Sequence, residues 1–219
     1  MAMVRDALLF GISLLTLFNP PSVMAAFASL ARGYPADIQT RMARRTALYY
    51  AVAVLLLTWA GRPLLSILGL SLPALRMAGG FVLLLAAVPM VTQYQRGDTD
   101  REAELEAELE AGARTRNWAQ LVAVPLTFPI SIGGATAAAV IAAGGGRPNL
   151  LRALLSSAVC LVMTAVVWLT LRSAVPLTRR ISRGSMAALT ALSGLLLLCI
   201  AFQLIAAGLR DLLPGLSHP

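Results

Sequence analysis

The sequence predicts an all-α polytopic membrane protein with six transmembrane helices, arranged as two three-helix halves, the first and fourth spans broken near the bilayer midplane. Three observations predict it. The 219 residues are 58% apolar and 13% charged, with a mean hydropathy of +0.77, which excludes an ordinary soluble domain. Apolar stretches of spanning length recur six times between short polar segments. Two of those stretches, at corresponding places in the two halves, carry helix-breaking prolines in mid-run.

The first span covers residues 8–31 and places Asn19-Pro20-Pro21 near its centre. Adjacent prolines remove backbone donors and clash with the preceding turn, so one helical piece must end and another begin. Arg5 ahead of the apolar run and Ala26-Phe27-Ala28 within it resemble a cleavable signal. The run is long for a signal core, and cleavage would strand Arg32, Arg41, Arg44 and Arg45 on the exported side, so it is read as a retained span. The second span, 46–70, carries Arg62-Pro63 late in its run, which predicts a bend or a surface-lying end. The third, 75–92, holds Gly79-Gly80 and Pro89 and is barely long enough to cross.

Residues 93–117 form the longest polar segment and divide a first repeat, 1–92, from a second, 118–219. Within it, DREAELEAELEA at 100–111 predicts a short cytoplasmic helix acting as a solvated connector. The fourth span, 121–143, contains Pro125, Pro129 and Gly133-Gly134; the fifth and sixth are 150–171 and 186–209.

All 18 basic residues are arginine, and the net charge is +8. A nucleic-acid partner is not implied, because these arginines flank the spans and lie in the loops between them, where they set topology. Arg5, Arg62, Arg76, Arg147, Arg152 and Arg210 fall on the side that holds both termini, and the other twelve fall opposite. The richer side is expected to be cytoplasmic, so both termini are expected to face outward. Cys160 and Cys199 lie inside spans, and the single histidine, His218, is next to last. No metal motif, buried acidic pair or nucleophile-base set is legible, and no enzyme or cofactor is expected.

Three spans per half require the halves to lie in opposite orientations if they share a fold. Phe18-Asn19-Pro20-Pro21-Ser22 resembles Thr127-Phe128-Pro129-Ile130-Ser131, and Gly79-Gly80-Phe81 through Leu85 resembles Ser193-Gly194-Leu195 through Cys199. The offsets are 128 − 19 = 109 and 194 − 80 = 114, so an indel of five residues separates the two matches. An inverted repeat is therefore expected.

Each break should expose backbone at a depth without bulk water. Asn19 is expected to cap the second piece of span one, leaving the amides of Ser22, Val23 and Met24 free; in span four the corresponding groups belong to Ile130 and Ser131, with Gly133 and Gly134 allowing close approach. Two helix N-termini meeting there would favour a carboxylate, and the carbonyls ending the first pieces would favour an ammonium group or Na⁺. A small zwitterion satisfies both without a buried charge from the protein. The ten acidic residues all lie outside the spans or at their ends, so a proton relay through buried carboxylates is disfavoured; Na⁺ coupling and uncoupled movement stay open. Arg76 either reaches a substrate carboxylate or snorkels into a salt bridge, the second being favoured.

The arrangement Asn19-Pro20, then Arg76-Met77-Ala78-Gly79-Gly80, then Val124-Pro125-Leu126-Thr127-Phe128-Pro129 and Gly133-Gly134, resembles the MarC family of bacterial inner-membrane proteins over nearly the whole chain. Pro21-Ser22 and Ile132-Gly133-Gly134 depart from the pattern usual there. The resemblance implies an inner-membrane transporter of small neutral amino acids such as glycine, alanine and serine, and the breaks place its expected site at Asn19, Pro20, Ser22, Val23, Thr127, Pro129, Ser131, Gly133 and Gly134, with Arg76 beside them. Two alternatives are a membrane component that binds or regulates a partner through its loops, and an exporter of drugs or other metabolites. The small residues around the breaks disfavour bulky drugs.

Overall fold

The computed structural model describes residues 2–31, 33–96, 132–144, 150–178, 180–181 and 183–213, and among these every regular element is helical. In chain order they are α1 (Ala2–Phe18), α2 (Pro20–Ala31), α3 (Ala36–Ile67), α4 (Leu72–Arg96), α5 (Gly134–Gly144), α6 (Leu150–Thr178) and α7 (Arg183–Leu212). Four of them, α3, α4, α6 and α7, are long and apolar enough to cross a membrane, and α1 with α2 makes a fifth crossing if the bent pair counts as one span. The first half of the fourth span and the connector helix expected at 100–111 lie outside the described residues.

The boundaries differ from expectation where polar residues continue a helix. The helix of the second span starts at Ala36, ten residues before the apolar run, with Asp37 in its first turn, where the helix dipole favours an acid. Gln39 Nε2 donates to the carbonyls of Ala31 at 3.1 Å and Tyr34 at 2.8 Å, tying the end of α2 to the start of α3. The same helix passes through Pro63 without ending, and stops only at Gly69, whose φ of +66° suits a residue without Cβ. One proline removes a single ladder bond, and the turns on either side hold the helix together. The third span is likewise longer than its apolar core: α4 has 25 residues, includes Pro89 and continues into the segment read as linker.

The core sits between α1, α2, α3 and α6, with Phe18, Phe27, Met42, Tyr50, Val54 and Leu171 among its fully buried side chains. Large apolar side chains such as Ile67, Val162 and Phe202 point outward, as a bilayer-facing surface requires. Lipid tails give helices no hydrophobic reason to associate, so close packing must hold them, and small residues make it possible.

That device is clearest between α4 and α7. A Cβ on Gly80 would lie 2.9 Å from the Ala201 carbonyl oxygen and 2.9 Å from Ile205 Cγ1; one on Gly194 would lie 3.3 Å from the Ala87 carbonyl oxygen and 3.2 Å from Val91 Cγ2. Two neighbours of each glycine share one offset, since 201 − 87, 205 − 91 and 194 − 80 all equal 114, while the atom nearest the Gly194 position, Met90 Cβ at 2.7 Å, has no counterpart at Gly80. Within this antiparallel pair, a half-turn that exchanges the helices carries Ala201 and Ile205 beside Gly80 onto Ala87 and Val91 beside Gly194. At one end of the pair Arg76 Nη1 donates to Asp211 Oδ2 at 2.6 Å.

Candidate functional site

The break in the first span is built by three residues. Pro20 and Pro21 have no N–H, so the carbonyls of Thr16 and Leu17 lose the donors a continuous helix would offer them. Asn19 takes φ of +48°, a left-handed conformation that asparagine tolerates better than other residues with a Cβ. Its N–H donates to Leu15 O and Thr16 O at 3.3 and 3.2 Å, closing α1, and its carbonyl accepts from Val23 N at 3.2 Å, opening α2. The two pieces meet at 41°.

This geometry corrects the expected cap. The Asn19 side chain does not bond the amides of α2; it turns sideways, with Nδ2 donating to Met90 Sδ at 3.6 Å, and Ser22 Oγ approaches the same sulfur at 3.9 Å. The left-handed backbone explains the difference, since a cap residue would need extended φ and ψ to aim its side chain at N2 or N3. Val23, expected to offer a free amide, uses it on Asn19 and buries its side chain in the core. Asn19 is 5% exposed, and its Oδ1 has no hydrogen-bond partner. An amide oxygen buried in that state costs about 1–3 kcal/mol, which a polar ligand at the break would offset.

Thr127, Pro129 and Ser131 lie outside the described residues. Gly133 and Gly134 lead into α5, and Ala137 N donates to Gly133 O at 3.1 Å, a first-turn bond of that helix. Gly134 rests on Gly79 of α4: its built Cβ would be 3.4 Å from Gly79 Cα, and one on Gly79 would be 2.8 Å from Gly134 C. Thus the break of the first span and the start of α5 both touch α4, the first at Met90 and the second at Gly79. Those positions are 90 − 79 = 11 residues apart, roughly 16 Å of helix rise, so the described parts meet α4 at separate heights. Arg76, one turn before Gly79, gives its guanidinium to Asp211 across α4 and α7, the salt-bridge reading of that residue.

Four polar residues of this region escaped the reading of the sequence. Thr46, Tyr50 and Thr58 lie on the buried side of α3, and Ser156 on that of α6; their exposures are 0%, 0%, 6% and 6%. Thr58 Oγ1 donates to Val54 O at 2.7 Å and lies 3.8 Å from Cys160 Sγ. Thr46 Oγ1 and Tyr50 OH have no partner at all. The signal was present: Thr46, Tyr50 and Thr58 are spaced by multiples of four in an apolar run, which places polar groups on one side of a helix. Among the described residues no three His, Cys, Asp or Glu side chains group as metal ligands.

The chain was compared with known proteins. The model of the MarC family of integral membrane proteins matches residues 6–213. The inner membrane protein MarC of Salmonella arizonae is 27% identical over 206 residues, covering 91% of this chain and 92% of its own length. The UPF0056 membrane protein MJ1677 of Methanocaldococcus jannaschii is 29% identical over 201 residues, covering 92% and 94%. No solved structure matches.

Proposed function

From the premise that the chain belongs to the MarC family of integral membrane proteins, we propose that it is a transporter of small neutral amino acids, glycine, alanine or serine, bound at the broken helices. The observation that carries the reading is Asn19: a left-handed residue at a 41° break in a spanning element, almost fully buried, with an unused amide oxygen. A scaffold protein has no use for unsatisfied polar groups at that depth, because in lipid each costs more than on a wetted surface. A transporter does, because a substrate that must come and go has to find unpaired donors and acceptors waiting.

The surroundings favour a small ligand. Ser22, Ala25 and Gly134 are small residues beside the first break and at the start of α5, and such residues suit a methyl or hydroxymethyl side chain better than a bulky amphipathic drug. Asn19 Oδ1 and the Leu17 carbonyl suit an ammonium group, and the Ser22 N–H at the start of α2 suits a carboxylate. The reciprocal contacts of Gly80 and Gly194 support reading the halves as inverted repeats, in which rocking one against the other would alternate access. In this reading Arg76 holds α4 to α7 and does not touch the substrate. Both termini lie on the outer side, and Na⁺ coupling is one of the two arrangements the assay separates.

The test is uptake of radiolabelled glycine, alanine and serine into proteoliposomes, with and without a Na⁺ gradient, for the natural chain and for Asn19→Gly. Glycine keeps the left-handed backbone and removes the amide. Uptake lost in the variant supports the site. Absence of movement by the folded natural chain under any gradient would replace the transporter reading with a membrane component that acts through its loops.

A further inference from the structure

The unpartnered hydroxyls of α3, Thr46 and Tyr50, lie on one line with the polar side chains of α6 that face the same seam, and that line starts at a surface groove. The groove is lined by Asp6, Phe10, Ala143, Arg152 and Ser156. Its two charges, Asp6 Oδ2 and Arg152 Nη2, are 3.8 Å apart and each about half exposed, so they neutralise one another loosely and leave hydrogen-bonding capacity for a visitor. Ser156 is 6% exposed and forms the inner wall.

One turn deeper along α6 is Cys160, facing Thr58 of α3. The contacts Thr58 to Cys160 and Trp59 to Ser157 show that α3 and α6 run antiparallel, so going inward along α6 means going back along α3, toward Tyr50 and then Thr46. From Thr58 to Thr46 is 12 residues of helix, roughly 18 Å. With the step from Ser156 to Cys160, the line covers most of a hydrocarbon core about 30 Å thick.

Polar side chains in lipid-embedded helices usually satisfy themselves on the carbonyl four residues back, as Thr58, Thr92, Thr164 and Thr178 do here. Thr46 does not, and Tyr50 has no such option; both hydroxyls are fully enclosed and unpaired. Tyr50 also meets the break, since the Phe18 ring contacts it edge-on at 6.4 Å between centroids and Phe18 directly precedes Asn19. We infer that the seam between α3 and α6 is the route of the solute: in through the Asp6 and Arg152 groove, past Ser156 and the Thr58–Cys160 pair, to Tyr50 and Thr46 beside the broken helix. Beyond the charged entrance, hydroxyl, thiol and amide groups replace the hydration of a small zwitterion one contact at a time, without a fixed charge that would trap it. The route rests on the transporter reading for its purpose, and not for its geometry.

Cys160 supplies the test, because it sits on the route while Cys199 is exposed on α7. In the Cys199→Ala chain, reconstituted in phospholipid vesicles, a charged, membrane-impermeant methanethiosulfonate should modify Cys160 during exposure to amino-acid gradients, and millimolar glycine or alanine should slow that modification severalfold. Tyr50→Phe should cut uptake at least tenfold with no loss of thermal stability, since it deletes a hydroxyl that has no partner to lose. If Cys160 stays unmodified under all gradients, or if Tyr50→Phe leaves uptake intact, the route is wrong. If Cys160 is modified at a rate that amino acids do not change, the route stands and the amino-acid substrate falls.

Discussion

Gly79→Ala is the most informative single change, because it asks whether the start of α5 is held where the structure puts it. An added Cβ would lie 2.8 Å from Ala135 N, 2.8 Å from Gly134 C and 2.9 Å from Ala135 Cα. All three are backbone atoms, so no side chain can swing aside. Ordinary carbon contacts are about 3.5–4.0 Å, and relief therefore demands a shift of roughly 0.7–1 Å between α4 and α5. Overpacking of this kind costs about 1–3 kcal/mol, which in a domain of this size lowers Tm by about 2–4 °C for each kcal/mol. The assay is a thermal melt of detergent-purified protein followed by tryptophan fluorescence and monodispersity, with uptake measured in parallel. Gly184→Ala is the control: nothing lies within 4 Å of its Cβ position, near the start of α7, and alanine is the better helix former, so its Tm should be unchanged or higher. If Gly79→Ala melts with the natural chain, α5 does not lie on α4 as described.

Three further outcomes follow from the same geometry. Asn19→Leu should lose about 1–2 kcal/mol more than Asn19→Gly in the same melt, because only glycine takes φ of +48° without strain; equal losses would mean the left-handed turn is absent. Arg76→Asp and Asp211→Arg should each lower stability by no more than about 1 kcal/mol, since both groups are partly exposed, and the double exchange should recover the loss; failure to recover would disconnect the two residues. A reporter active only in the cytoplasm, fused after Pro219, should be silent, and a bright fusion would reverse the orientation drawn from the arginines.

The amino-acid order alone was enough for the helical membrane class and for the position of the first break. Each is a local consequence of chemistry: apolar runs of spanning length, prolines without N–H groups. The same reasoning set helix ends too early or too late. Asp37 and Gln39 are polar and looked like loop, yet they extend α3 because they bond and charge-match its start. Pro63 led to the expectation of a bend or a surface-lying end, and the turns around it carry the helix on to Ile67.

What only the tertiary structure decided is where side chains aim. That Asn19 turns to Met90 and not to its own helix depends on a residue 71 positions away. Arg76 finds Asp211 at 135 positions' distance, and Thr58 finds Cys160 at 102. A sequence shows that polar residues fall on one side of a helix, but whether that side meets lipid, a carbonyl or a neighbouring hydroxyl is settled by which helix packs against it. Thr46 and Tyr50 read as ordinary members of an apolar run, and only the packed structure shows both hydroxyls buried without a partner.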